Sequence, residues 1–399
     1  MSPAPPDPFA PARLGPVALR NRILKAATFE GMSPGNVVSD ALVEFHRRMA
    51  AGGVAMSTVA YVAVSRDGMG APSEIVVAPE AGEGLARLAE AVHAEGAAVA
   101  AQLGHAGAVG QLPGKRAVGP SPGFSLLGGR IAELSKSEID AVVEHFAAGG
   151  RLLAEAGFDG IELHLGHHYL LSAFMSPKWN RRSDEFGGSL ENRARLPGRV
   201  LRAVREAAGP GLAITAKLNM RDAVRGGLEV EESIALAKLF ESEGVLDALE
   251  LTGGGSLANP MYLFRGDAPR AEMAATLPPA TRLGFKLLGR FLFRDYPFEE
   301  AYFLPLARRF REALSLPLIL LGGINRRETV EQAMAEGFEF VALGRALLRE
   351  PDLVNAWAAG SAQASTCIHC NRCMVSIYSG TRCVLDHPEP LEIARPAAS

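Results

Sequence analysis

Short apolar runs, each followed by a longer amphipathic stretch, recur from one end of the chain almost to the other, and no other feature narrows its fold as much. The runs are Arg22–Ala27, Val54–Val62, Ala98–Leu103, Gly160–His164, Leu212–Leu218, Ala248–Thr252, Leu316–Leu321 and Phe338–Leu343. Each is almost continuously apolar, as strands covered on both faces are. Helical periodicity is predicted over Ser39–Ala50, Gly82–Glu95, Ser135–Ala156, Glu191–Ala207, Glu229–Glu243, Glu299–Leu314 and Arg327–Glu336. Ser135 with Glu138 has the spacing of a capping box, and Asp40 and Ser189 stand near helix starts. Eight such strand candidates within 399 residues predict an α/β fold, a (β/α)8 TIM barrel over residues 1–360 with a Cys-rich extension over 361–399. A doubly wound open sheet usually carries Gly-x-Gly-x-x-Gly after its first strand. Here the nearest variant, Gly253-Gly-Gly255-Ser-Leu-Ala258, follows only the sixth.

Two excursions interrupt the rhythm. Gly104–Leu134 is rich in Gly and Pro, and Gly253–Phe298 carries Tyr262, Phe264, Phe291, Phe293 and Tyr296. Long connections in compact domains usually have a task, which on a barrel lies at the C-terminal face. Residues 253–298 are therefore a candidate lid, with a surface helical hairpin of no catalytic relevance as the alternative. The tail Pro388–Ser399 is expected to fray.

Composition bounds the partners. Lys and Arg number 41 against 44 Asp and Glu, a net charge of −3 that leaves no basic footprint for nucleic acid. No run of 18 apolar residues suggests a membrane span. The N-terminus has neither the charged nor the apolar region of a signal peptide. The expectation is a soluble, cytoplasmic protein acting on a small molecule, with neither nucleic acid nor membrane as partner. A homo-oligomer is an open expectation.

The densest chemistry follows the fourth run, in Ile161-Glu-Leu-His164-Leu-Gly-His167-His168-Tyr169-Leu170. A barrel strand opening into its loop is where catalytic groups gather. Imidazole N–H groups of His164 and His167 can clamp and polarise a carbonyl oxygen, and Tyr169 can deliver a proton. The same two histidines can instead contribute to a zinc site, or simply cap the strand with ordinary hydrogen bonds. Leu321-Gly322-Gly323-Ile324 and Leu343-Gly344-Arg345 end the last two strands, where barrels frequently bind phosphate; tight turns are the alternative reading. Lys217, inside an apolar strand, calls for an anionic partner.

With Asn21-Arg22, with Gln102-Leu-Gly-His105-Ala-Gly107, and with the polar loop Ser176–Arg193, these segments resemble the Old Yellow Enzyme family of flavin-dependent ene-reductases. The resemblance runs from about Phe9 to Val354. It implies FMN held non-covalently at the C-terminal mouth of the barrel, with NAD(P)H as a transient hydride donor. An electron-poor alkene, an α,β-unsaturated carbonyl compound, then accepts the hydride in a second half-reaction. By the same resemblance His164 and His167 hold the acceptor's carbonyl and Tyr169 protonates its α-carbon. Ala26, Ala27 and Thr28 run under the flavin, Gln102 meets its amide edge, and Lys217 stands beside N1 and O2. Gly322, Gly323 and Gly344 bind the phosphate, with Arg345 beside them. The chain departs from the family at Ala27, often Pro; at Lys217, commonly Arg; at His168, usually Gly; and at Phe29, often a small Thr or Cys.

All four cysteines fall in one stretch, Cys367, Cys370, Cys373 and Cys383, with spacing C-x2-C-x2-C-x9-C. Thiolates so spaced suit an iron–sulfur cluster or a zinc ion, and an empty remnant is the third reading. The stretch resembles the [4Fe–4S] site that follows the barrel in the 2,4-dienoyl-CoA reductase-like branch of the family. Those relatives space the later cysteines slightly wider and continue into a nucleotide-binding domain, which this sequence does not show after Cys383. Three rival functions remain at this level: a flavin-dependent amine or ether demethylase or oxidase, an iron–sulfur electron-transfer or redox-sensing subunit, and a metal-dependent barrel lyase.

Overall fold

The computed structural model describes residues 4–393 apart from 111, 113, 126–128, 257 and 278, so part of the tail expected to fray lies outside the described residues. Eight strands make the barrel: β1 (Ile23–Lys25), β2 (Met56–Ala63), β3 (Ala98–Gly104), β4 (Gly160–Leu165), β5 (Ala213–Asn219), β6 (Ala248–Thr252), β7 (Leu318–Leu320) and β8 (Phe340–Leu343). Neighbours pair in parallel in chain order. The ring closes where β8 meets β1 at Val341↔Ile23 and β1 meets β2 at Leu24↔Met56. The strands are buried along almost their whole length, which is why they read as unbroken apolar runs.

Helices α1 (Asp40–Ala51), α2 (Gly82–Ala94), α3 (Lys136–Glu155), α4 (Leu190–Ala208), α5 (Val230–Ser242), α6 (Leu304–Ala313) and α7 (Arg327–Ala335) form the outer layer. The caps explain several starts. Ser39 accepts from the Leu42 N–H, the Ser135–Glu138 capping box is complete, and Ser189 accepts from the Asn192 N–H. Helix α6 begins at Leu304 rather than at Glu299. Pro305, which lacks an N–H, sits in its first turn, where that donor is not needed.

The sequence reading places no strand ahead of the first barrel strand. A hairpin, Ala12–Leu14 against Val17–Leu19, precedes the barrel and turns at Gly15-Pro16. Its Leu14 and Leu19 pack with Leu24, Met56, Ala100, Ala213, Ile319 and Phe340, residues at or near the starts of barrel strands. The hairpin thus plugs the end of the barrel opposite the candidate site.

The excursion after β3 contains a small sheet of Ala117–Gly119, Gly123–Ser125 and Gly129–Glu133. The excursion after β6 contains helices Pro260–Leu263, Arg270–Thr276 and Pro279–Leu292. Its root is fixed around Arg265, whose guanidinium lies 5.4, 6.0 and 5.0 Å from the ring centres of Tyr262, Tyr296 and Tyr302.

Candidate active site

The turn after β4 builds the centre. The Tyr169 N–H donates to the Gly166 carbonyl at 3.1 Å, and the two residues between, His167 and His168, have φ of 59° and 65°. Positive φ at both inner positions is the signature of a type I′ turn. It folds Tyr169 back over His164, with ring centres 4.3 Å apart, and sets His167 edge-on to His164 at 4.9 Å. His168 points elsewhere, onto Trp179, with both ring nitrogens buried and without a hydrogen-bond partner. The three predicted catalytic side chains are therefore brought together.

Their protonation follows from burial and partners. The Gly166 N–H donates to His164 Nδ1 at 3.3 Å, which leaves the proton on Nε2. Thr252 Oγ1 lies 2.9 Å from His167 Nε2, and Asn219 Oδ1 accepts the His167 backbone N–H at 3.1 Å. Burial, aided by nearby positive charge, holds both imidazoles well below their usual pKa, so they are neutral at physiological pH. Burial raises the Tyr169 phenol above its ordinary range, which keeps it a proton carrier. Tyr61, itself buried, packs edge-on to Tyr169 at 5.6 Å. Among the described residues no group of three or more His, Cys, Asp or Glu side chains is arranged to hold a metal ion, so a zinc site at His164 and His167 has no third ligand of these types.

Lys217 corrects one premise of the sequence reading. Its ammonium already has carboxyl partners within the chain, Glu162 at 3.0 Å and Glu250 at 2.9 Å, and all three groups are buried. A bound anion is not required to offset its charge. The Gln102 amide N–H donates to the same Glu162 at 2.6 Å, so both expected flavin contacts belong to one network. Sequence reasoning passed over Glu162 and Glu250. The available signal was a carboxylate two residues before His164, on the same strand face, and another alone in Ala248–Thr252.

Gly322 and Gly323 have φ of 109° and 72°, and a Cβ at either would meet the ring of Phe303 at 2.5 Å or of Tyr302 at 2.6 Å. The first need for glycine there is thus backbone conformation and aromatic packing. Gly344 directly precedes the short helix Arg345–Arg349, whereas α7 starts only four residues after Gly323. Arg345 donates to the Arg265 carbonyl and to the Asn371 side chain, which ties the end of β8 to the insertion and to the Cys-bearing segment. Ala26 is buried and its N–H donates to the Leu343 carbonyl, while Thr28 Oγ1 is buried with no partner. The four cysteines are free and partly buried, and all line one cavity with Arg345 and Arg349. Burial pushes the Cys373 thiol up to about 11.

Residues 7–250 match the family described as NADH:flavin oxidoreductase / NADH oxidase. Over 383 residues the chain is 53% identical to a 4,4'-dithiodibutanoate disulfide reductase of Rhodococcus erythropolis, covering 95% of each protein. It is 33% identical to a metal reductase of Desulforamulus reducens over 93% of this chain but 52% of that protein, so it spans about half the length of this relative. In fold it is similar to the Old Yellow Enzyme homologue of Zymomonas mobilis, at 22% identity and a TM-score of 0.71, with 92% of this chain and 96% of the other covered. The closed barrel and these matches place the chain in the NADH:flavin oxidoreductase / NADH oxidase family of Old Yellow Enzyme-like flavoproteins, FMN-dependent oxidoreductases that use NADH or NADPH.

Proposed function

We propose that this protein uses NAD(P)H and FMN to reduce an electron-poor small molecule, and that an α,β-unsaturated carbonyl compound is the acceptor its site supports best. The observation that carries this reading is the pair of buried, neutral imidazoles with the Tyr169 ring 4.3 Å from one of them. Neutral His164, with its proton on Nε2, offers a donor to a carbonyl oxygen on which negative charge develops. His167, steadied by Thr252 and Asn219, offers the second contact. Tyr169 holds the proton that goes to the α-carbon, and its raised pKa keeps that proton in place until a strongly basic carbon forms.

The residues fit the flavin. The unpartnered Thr28 hydroxyl, beside the C-terminal ends of β1 and β8, is a polar group that a bound cofactor can satisfy. Ala26, Ala27, Thr28, Gln102, Lys217, Gly322, Gly323, Gly344 and Arg345 would hold FMN. When bound, FMN relays a hydride from the nicotinamide to the acceptor. For the cysteines we infer a [4Fe–4S] cluster held by Cys367, Cys370, Cys373 and Cys383. Four free thiols lining one cavity, flanked by the cationic Arg345 and Arg349, support this reading.

A second reading, disulfide reduction, is favoured by the Rhodococcus relative and its printed substrate. In that reading a sulfur atom accepts the hydride, the S–S bond breaks, and the departing thiolate, too weakly basic to draw the proton from Tyr169, is protonated by water. The two are separated by mixing reduced holoenzyme with cyclohexenone or with 4,4'-dithiodibutanoate and following flavin reoxidation. Tyr169→Phe is expected to slow alkene reduction about 10²–10⁴-fold while leaving flavin reduction by NAD(P)H intact. Equal loss of both half-reactions would remove the role given to Tyr169.

A further inference from the structure

The helix Pro279–Leu292 of the insertion presents two faces of opposite character. Inward, the Phe285 ring meets the buried Phe293 ring at 5.5 Å, with Gly289 between them. Outward, Leu283, Leu287 and Phe291 are 67%, 66% and 59% exposed. These three recur every fourth residue, so they form one stripe along the helix. An apolar stripe of this kind on a surface element marks a contact with something other than water.

Charge identifies the occupant. Lys286, Arg290 and Arg294 are exposed beside the stripe. The Arg290 guanidinium lies 4.9 Å from the Phe291 ring centre, and Arg294 Nε donates to the Phe291 carbonyl. No acidic residue occurs from 273 to 294, in a chain whose net charge is −3. A second copy placed face to face would set these cations against their own images. An anionic bilayer surface satisfies both halves of the pattern, since leucine and phenylalanine enter the acyl boundary while long basic side chains reach back to the headgroups.

We propose that this helix docks the protein peripherally on anionic lipid, without crossing the bilayer; no helix among the described residues is long and apolar enough to cross a membrane. The helix belongs to the connection that leaves the C-terminal end of β6, so docking brings the face of the barrel that carries Tyr169 towards the lipid and its dissolved apolar compounds.

Holoenzyme is sedimented with vesicles of mixed phosphatidylcholine and phosphatidylglycerol, and with vesicles of phosphatidylcholine alone. Binding is expected on the mixed vesicles and to weaken as salt is added. The triple variant Lys286→Glu, Arg290→Glu, Arg294→Glu is expected to bind them roughly a hundredfold more weakly. The triple variant Leu283→Ser, Leu287→Ser, Phe291→Ser is also expected to lose binding, with circular dichroism and flavin spectra confirming that each variant is folded. Wild-type protein that stays in the supernatant, or a charge variant that binds as well as wild type, overturns the proposal. If the apolar variant instead turns a dimer into a monomer while wild type ignores the vesicles, a second copy covers this face and the lipid reading is wrong.

Discussion

Where the Lys217 ammonium meets Glu162 and Glu250, one buried positive charge faces two buried carboxylates. The surplus negative charge is relieved by a proton, and burial beside Glu162 pushes Glu250 up to about 8. An unfolded chain releases that proton near pH 4.5, the ordinary value for the group. Between these limits the folded state binds more protons than the unfolded state, so stability falls as pH rises. The unfolding temperature of the wild type is therefore expected to decline between about pH 5 and pH 8 more steeply than that of Glu250→Gln, whose amide imitates the protonated form. Parallel profiles in a thermal unfolding series would show that Glu250 is already ionised in the fold. The residue also marks how far a sequence can be read. His164, His167 and Tyr169 are legible because they crowd one strand end. The lysine and its carboxylates come from three different strands, and only the ring of parallel pairings, Lys217↔Glu250 and His164↔Lys217 among them, brings them into contact.

Among elements, the strands were the easiest to read, since burial on both faces leaves an unbroken apolar signature. The hairpin Ala12–Leu14 and Val17–Leu19 was missed for the converse reason: three-residue strands with mixed burial carry almost no pattern. The insertion after β6 was visible as aromatic enrichment, but not the use made of it. Tyr262, Tyr296 and Tyr302 enclose Arg265 rather than standing free over the site. Tyr302 in turn packs where a side chain at Gly323 would lie, so the cage is joined to the end of β7. Arg265→Ala empties the cage and removes cation–π contacts worth about 0.5–2 kcal/mol each. If the insertion acts as a wall of the site, this variant should change the relative kcat/KM for small and bulky acceptors several-fold while FMN affinity stays near wild type. An unchanged ranking of acceptors would mean that the insertion takes no part in selectivity.

For the molecule as a whole, the Cys-bearing segment is the part whose placement the sequence leaves most open, because irregular chain has no periodicity to betray its neighbours. In the fold it is sewn onto the barrel and its insertion at several places. The Ser365 N–H donates to the Asn325 carbonyl beyond β7, and Asn371 Nδ2 donates to the carbonyls of Phe264 and Asp267 in the insertion. Thr381 donates through its N–H to the Glu30 carbonyl at 2.8 Å and through Oγ1 to the Phe29 carbonyl at 2.6 Å. The approach is close enough that a Cβ on Gly31 would fall 1.9 Å from the Ile377 carbonyl oxygen. Phe29 and Glu30 directly follow Ala26–Thr28, so the segment braces the stretch proposed to lie under the flavin. A chain ended after residue 360 is therefore expected to unfold at lower temperature and to lose FMN more readily on dilution, because Phe29 and Glu30 lose these partners. Iron and acid-labile sulfide, at about four each per full-length chain for a [4Fe–4S] cluster, should disappear with the segment. The two readouts fail separately. Full-length protein without iron or sulfide removes the cluster but leaves the brace. Iron that is lost while FMN retention and unfolding temperature stay unchanged removes the brace, and the segment is then a carrier of the cluster alone.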